Sequence, residues 1–216
     1  MSRLRSFLTL LLGLMLSGCG ILGGKTTIVQ ITNKITSLPA GQTYQFTANV
    51  QHDQMKGVTL SLSGAGTLVR TGSTGTYLAP PAPPTPNSVT VTVTAANGSG
   101  VSDSDTFSIS AATGPVVSIT PVTPTVTAGG TAVTLNIAVT MDDASDSLVG
   151  GVSSSSICNA SLCGTLGPIT GTPGGGAYTV QYSPPTSVTM STLQTINVIS
   201  SLNNSTIGTA FVTINP

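Results

Sequence analysis

From Val89 to Thr94 the chain alternates valine and threonine without interruption, and the same period of two recurs elsewhere. Tyr44, Phe46, Ala48 and Val50 alternate with Gln45, Thr47 and Asn49. Phe107 and Ile109 alternate with Ser108 and Ser110. Val133, Leu135, Ile137, Val139 and Met141 alternate with Thr134, Asn136, Ala138 and Thr140, and Ile196, Val198, Val212 and Ile214 continue the pattern. Successive residues of a strand point to opposite faces, so a period of two predicts half-buried strands with one apolar and one polar face. Composition points the same way. One residue in six is Thr, which strands favour, and there is no Glu and no Trp. Charged residues are 6% of 216, too few for helix surfaces built on Glu and Lys. The low net charge and ample apolar content also separate the chain from disordered sequences. Six cations cannot form a basic stripe, so nucleic acid is excluded as a partner.

Before these strands comes a leader. Arg3 and Arg5 form a positive start, and Phe7 to Leu16 is a short apolar run. Ten residues do not span about 30 Å of hydrocarbon as a helix, but they fit the core of a cleavable export signal. Leu16-Ser17-Gly18-Cys19 follows directly and resembles the lipobox of bacterial lipoproteins. The resemblance implies a diacylglyceryl thioether on Cys19, cleavage after residue 18 and acylation of the new amino terminus. More than one acyl chain makes such anchoring stable. Gly20 stands where Asp would retain an enterobacterial member of that family at the inner membrane, which implies the outer membrane. Without residues 1–18, four cations (Lys25, Lys34, Lys56, Arg70) face six Asp, and 4 − 6 gives a net charge of −2. Residues 19–26 read as a lipidated tether.

The remainder repeats. Ala40-Gly41 matches Ala128-Gly129 at an offset of 88, and Gly66-Thr67-Leu68 matches Gly164-Thr165-Leu166 at 98. Tyr77 is matched with Tyr178, Pro80-Pro81 with Pro184-Pro185, and Val91, Val93, Phe107 and Ile109 with Ile196, Val198, Val212 and Ile214 at 105. About ten extra residues enter the second copy ahead of its Gly-Thr-Leu. This order, with Gly75-Thr76-Tyr77-Leu78-Ala79-Pro80, resembles bacterial immunoglobulin-like (Big-type) repeats. The resemblance implies an all-β chain: two tandem immunoglobulin-like β-sandwiches, residues 27–112 and 115–216, joined near Ala111–Pro115. A Trp often precedes Gly-Thr-Leu in that family. Here Thr59-Leu60-Ser61-Leu62 and Ser153–Ile157 stand there, so both cores are expected to be filled by Leu, Ile and Val, the second less stably.

Candidate sites are sparse. Cys158 and Cys163 remain once Cys19 is lipidated. In an oxidising compartment an even pair reads as a structural disulfide, and the repeat family has similar pairs before Gly-Thr-Leu. Metal binding would need further ligands and a redox pair a tighter spacing. Asp142, Asp143 and Asp146 form the one acidic cluster and are the calcium candidates, although their spacing fits no EF-hand loop and a solvated loop is the simpler reading. Asp103 and Asp105 read as solvated. His52 beside Asp53 reads as an exposed loop residue, no Gly-x-Ser-x-Gly elbow occurs, and no catalytic set is expected. Tyr44, Tyr77, Tyr178 and Tyr182 are the polar aromatics. The shared repeat position assigned to Tyr77 and Tyr178 favours a core role or a tyrosine corner over a sugar platform, and the lack of Trp weakens sugar binding. Asn204-Ser205-Thr206 carries no meaning as a glycosylation sequon in a bacterium. The expected role is adhesion, spacing or protein–protein contact from a lipid anchor, with a protein or surface-glycan partner and no cofactor. The alternative is a carbohydrate- or calcium-binding accessory module.

Overall fold

The computed structural model describes residues 26–53, 57–142, 147–153, 163–200 and 207–216. The leader, Cys19, Asp143, Asp146, Cys158 and Asn204–Thr206 lie outside the described residues.

Eight strands build the first sandwich: β1 (Ile28–Thr32), β2 (Ser37–Pro39), β3 (Thr43–Gln51), β4 (Val58–Ser63), β5 (Thr67–Thr71), β6 (Thr74–Leu78), β7 (Ser88–Ala95) and β8 (Ser102–Ser110). One sheet runs β1-β3-β6-β5 and the other β2-β8-β7-β4. β2 is parallel to β8, and the other pairs are antiparallel. In immunoglobulin lettering these sheets are A-B-E-D and A′-G-F-C, the two layers of that fold. The second sandwich repeats the order. It contains β9 (Val116–Thr120), β10 (Thr125–Thr127), β11 (Val133–Thr140), β12 (Leu148–Ser153), β13 (Thr165–Leu166), β14 (Thr170–Gly171), β15 (Ala177–Ser183), β16 (Thr192–Ser200) and β17 (Ile207–Asn215). Its sheets are β9-β11-β15-β13, with β14 also on β15, and β10-β17-β16-β12. The chain is all-β, two tandem immunoglobulin-like sandwiches, each with its own core.

The alternation predicted from sequence is the observed burial. In β7, Val89, Val91 and Val93 are fully buried between half-exposed threonines. The first core departs from the expected aliphatic filling. Tyr44 and Phe46 pack with ring centroids 5.5 Å apart, and Phe107 meets Tyr44 and Tyr77 edge-on at 5.4 and 5.3 Å. Four aromatics thus fill the centre of the first core. Gly75 makes room for one of them, since a Cβ there would lie 2.2 Å from Cζ of Phe46. At the counterpart positions Leu135 faces Val180, a smaller residue and a larger one exchanged across the same pair.

Strand register corrects two repeat assignments. Tyr44 pairs with Tyr77 and Val133 with Tyr182, and Gly41 N–H donates to the Pro80 carbonyl as Gly129 N–H does to that of Pro185. Tyr77 therefore corresponds to Tyr182, not Tyr178, and Pro80 to Pro185, both at the offset of 105 that β7, β8, β16 and β17 also keep. The offset rises from 98 to 105 between Leu166 and Tyr182, where the second copy lengthens the hairpin with a further short strand, β14, on β15.

Candidate functional site

Two carboxylates on β8 fasten the start of the first sandwich. Asp103 and Asp105 share the parity of Phe107 and Ile109, so they turn inward, and the expectation of solvated side chains fails. Asp105 is 4% exposed and accepts the Tyr44 hydroxyl at 2.8 Å and the Ile35 N–H at 3.0 Å. Asp103 accepts the Ile31 N–H at 2.8 Å, the Lys34 ammonium at 2.6 Å and the Ser104 N–H at 2.8 Å. The residues between β1 and β2 are thereby clasped to the last strand. Partial burial acts to raise the Asp103 pKa, but Lys34 and the Ile31 and Ser104 N–H groups outweigh it and hold the carboxyl below its ordinary value. A carboxyl with a lowered folded pKa contributes stability above its unfolded pKa and loses it as pH falls through the folded value. The stability advantage of the native chain over Asp103→Asn is therefore expected to be constant from neutral pH to about 5 and to shrink below about 4. Denaturation midpoints taken across that range test this, and an advantage that grows in acid would contradict it. Burial, then the Asp105 hydrogen bond and charge, push the Tyr44 phenol far above its ordinary value.

A tyrosine pin recurs in both sandwiches. Tyr77 donates to the Ala65 carbonyl and Tyr182 to the Cys163 carbonyl, both at 2.7 Å. Burial raises each phenol to about 12. The hydroxyl passes beneath the glycine of Gly-Thr-Leu. A Cβ at Gly66 would lie 2.4 Å from the Tyr77 oxygen, and one at Gly164 would lie 2.7 Å from that of Tyr182. This accounts for the glycine in both motifs. The pin sits on the E strand, so it is not a tyrosine corner, which sits at the start of F.

Asp142 follows β11, and its Oδ2 accepts Gly176 N–H and Tyr178 OH, both at 2.8 Å. One carboxylate oxygen of the calcium candidate is thus spent anchoring its loop to β15, and this is what Tyr178 does in place of the Tyr77 role. Among the described residues no three His, Cys, Asp or Glu side chains gather into a metal-sized group. Cys163 is buried at the start of the Gly-Thr-Leu turn, while Cys158 lies outside the described residues. His52 is exposed and Asp53 buried, so the adjacent pair does not share one environment.

A cleft lies between the sandwiches. At one end it holds about 250 Å³ between Pro80-Pro81 and Leu78 on one side and Val122 and Ser118 on the other. A second lobe of about 460 Å³ is walled by Thr43, Gln45 and Thr76 opposite Leu193, Asn197 and Phe211. Among the described residues no charged side chain lines either lobe. On the far side of the first sandwich, β4, β7 and β8 carry hydroxyls in register: Ser63-Thr90-Thr106, Ser61-Thr92-Ser104 and Thr59-Thr94-Ser102. None is buried, and Thr90–Thr106 and Thr92–Ser104 bond to each other at 2.9 Å.

No family model matches the chain, and no curated protein matches it. Solved structures similar to it include tandem Ig repeats of Dlar, at 12% identity and a TM-score of 0.36 over 88% of this chain and 98% of that one. The adhesin InvE of Yersinia pseudotuberculosis is similar at 15% identity and a TM-score of 0.31, over 88% and 59%. A chimeric titin Z1Z2 is similar at 15% and 0.29, over 88% and 97%. The assignment of fold rests on the strand order above.

Proposed function

We propose that this chain is a bacterial envelope lipoprotein, held by acylated Cys19 at the outer membrane, whose two Big-type immunoglobulin-like sandwiches make protein contacts and carry no catalysis. The observation that carries the reading is the registered hydroxyl face of β4, β7 and β8. It is wide, neutral and exposed, so it can engage a partner through many modest hydrogen bonds without attracting polyanions. Among the described residues β4, at the edge of this face, pairs with no strand beyond β7, so apart from the Val58 carbonyl held by Arg70 it offers backbone groups to a partner strand. The lipobox supports the anchor, and Gly20 after it supports the outer membrane. A Cys158–Cys163 bridge fits the burial of Cys163 at the turn that Tyr182 pins.

Two measurements test this. Full-length chain expressed with its leader should partition into detergent, with an intact mass lacking residues 1–18 and carrying acyl groups, while Cys19→Ala stays aqueous. Equal partition of the two would end the anchoring reading. Envelope cross-linking from a photoreactive residue at Thr92 should capture a protein that is lost when Thr90→Asp and Ser104→Asp are added to the same chain. Capture unchanged by those charges would end the contact reading.

A further inference from the structure

Because the two repeats share one strand order and strand register, each is an internal control for the other, and one face differs between them. Along β16 and β17 the outward positions include Leu193, Ile207 and Phe211, where the first copy has Ser88, Ser102 and Thr106, while Thr195, Asn197 and Thr209 stay polar like their counterparts Thr90, Thr92 and Ser104. In the connection after β9, Val122 replaces Lys34 at the offset of 88. All four replacements turn a polar residue into an apolar one, and all four line the cleft. Burial follows. Phe211 is 3% exposed and Thr209 4%, yet neither belongs to the second core, whereas their counterparts Thr106 and Ser104 are exposed. Val116 behaves alike. It is 4% exposed and outside both cores, while its counterpart Ile28 is 47% exposed. A Cβ on Gly41 would lie 2.3 Å from Cγ1 of Val116, so this glycine lets the first sandwich close onto the start of the second.

We propose that the outer face of β16 and β17 is a docking surface whose occupant is the β3–β6 face of the first sandwich in the same chain. The two sandwiches then work as one folded-back unit, not as beads on a string. Apolar side chains appear only in the repeat whose face is covered, which is what burial of that face would select. The occupant is fixed by the cleft itself, where Thr43, Gln45 and Thr76 stand opposite Asn197 and Phe211. The first copy keeps its hydroxyls on the same face, so that face is the one left to the outside. This inference concerns how the sandwiches associate and stands whether or not the lipid anchor does.

The decisive variant converts the docking face to residues that already fold on this framework: Leu193→Ser, Ile207→Ser and Phe211→Thr in residues 20–216. Small-angle scattering of the native chain should fit a folded-back pair, and the variant should show a larger radius of gyration with both sandwiches still giving dispersed amide spectra. A native chain that already scatters as two extended domains overturns the proposal, as does a variant with unchanged dimensions. Should the triple variant unfold, a spin label at Thr47→Cys, on the exposed face of β3, decides instead. It should broaden the Thr195–Asn197 amides of the second sandwich, and sharp signals there overturn the proposal.

Discussion

Asp105→Ala is expected to lower the stability of the first sandwich by about 3 kcal/mol, the scale of removing one side of a buried, charge-assisted hydrogen-bond set. The carboxylate is 4% exposed and takes two donors from different parts of the chain, the Ile35 N–H and the Tyr44 hydroxyl. Alanine leaves the Ile35 N–H without that acceptor and leaves Tyr44 with only the Asn33 carbonyl, 2.9 Å away. Asp105→Asn should cost less, because one amide oxygen still accepts. Urea denaturation followed by tyrosine fluorescence would measure both, and a loss below about 1 kcal/mol for alanine would mean water replaces the carboxylate freely. The second repeat has Ala210 at this position, so no equivalent loss exists there.

Gly66→Ala should be comparably severe, at about 3 kcal/mol, from two causes that add. The backbone sits at φ +109°, where a side chain is strained, and the new methyl would lie 2.4 to 2.6 Å from the oxygen and ring carbons of Tyr77. The ring cannot retreat, since its hydroxyl holds the Ala65 carbonyl and its edge packs on Phe107. A double-mutant cycle with Tyr77→Leu separates the causes. Relief of the clash makes the double variant less damaged than the sum of the singles. Strict additivity would place the whole cost in the backbone.

The sheets were legible in the sequence because a half-buried strand writes its burial as alternation, and Val89–Thr94 is buried and exposed in turn as that pattern requires. The same rule, pressed further, would have found the clasp. Asp103 and Asp105 keep step with Phe107 and Ile109, so the parity that predicted a core also placed two carboxylates facing into it. What the sequence misled on was the second tyrosine. Gly176-Ala177-Tyr178 imitates Gly75-Thr76-Tyr77, and the hairpin lengthened by β14 shifts the true counterpart to Tyr182. Only pairing across β11 and β15, together with the destination of the hydroxyl, tells them apart. The cleft was written in the differences between the copies, which a search for their similarities passes over.

The clasp also decides how a pull would travel. Tension on the residues ahead of β1 meets Ile31 and Lys34, and both hand it through Asp103 to β8. That strand is the one that leads on to the second sandwich. Load would cross from the first strands to the last at the Asp103 and Asp105 carboxylates and along the β2–β8 pairing, so a stretched chain bears force first at the edge of the sandwich.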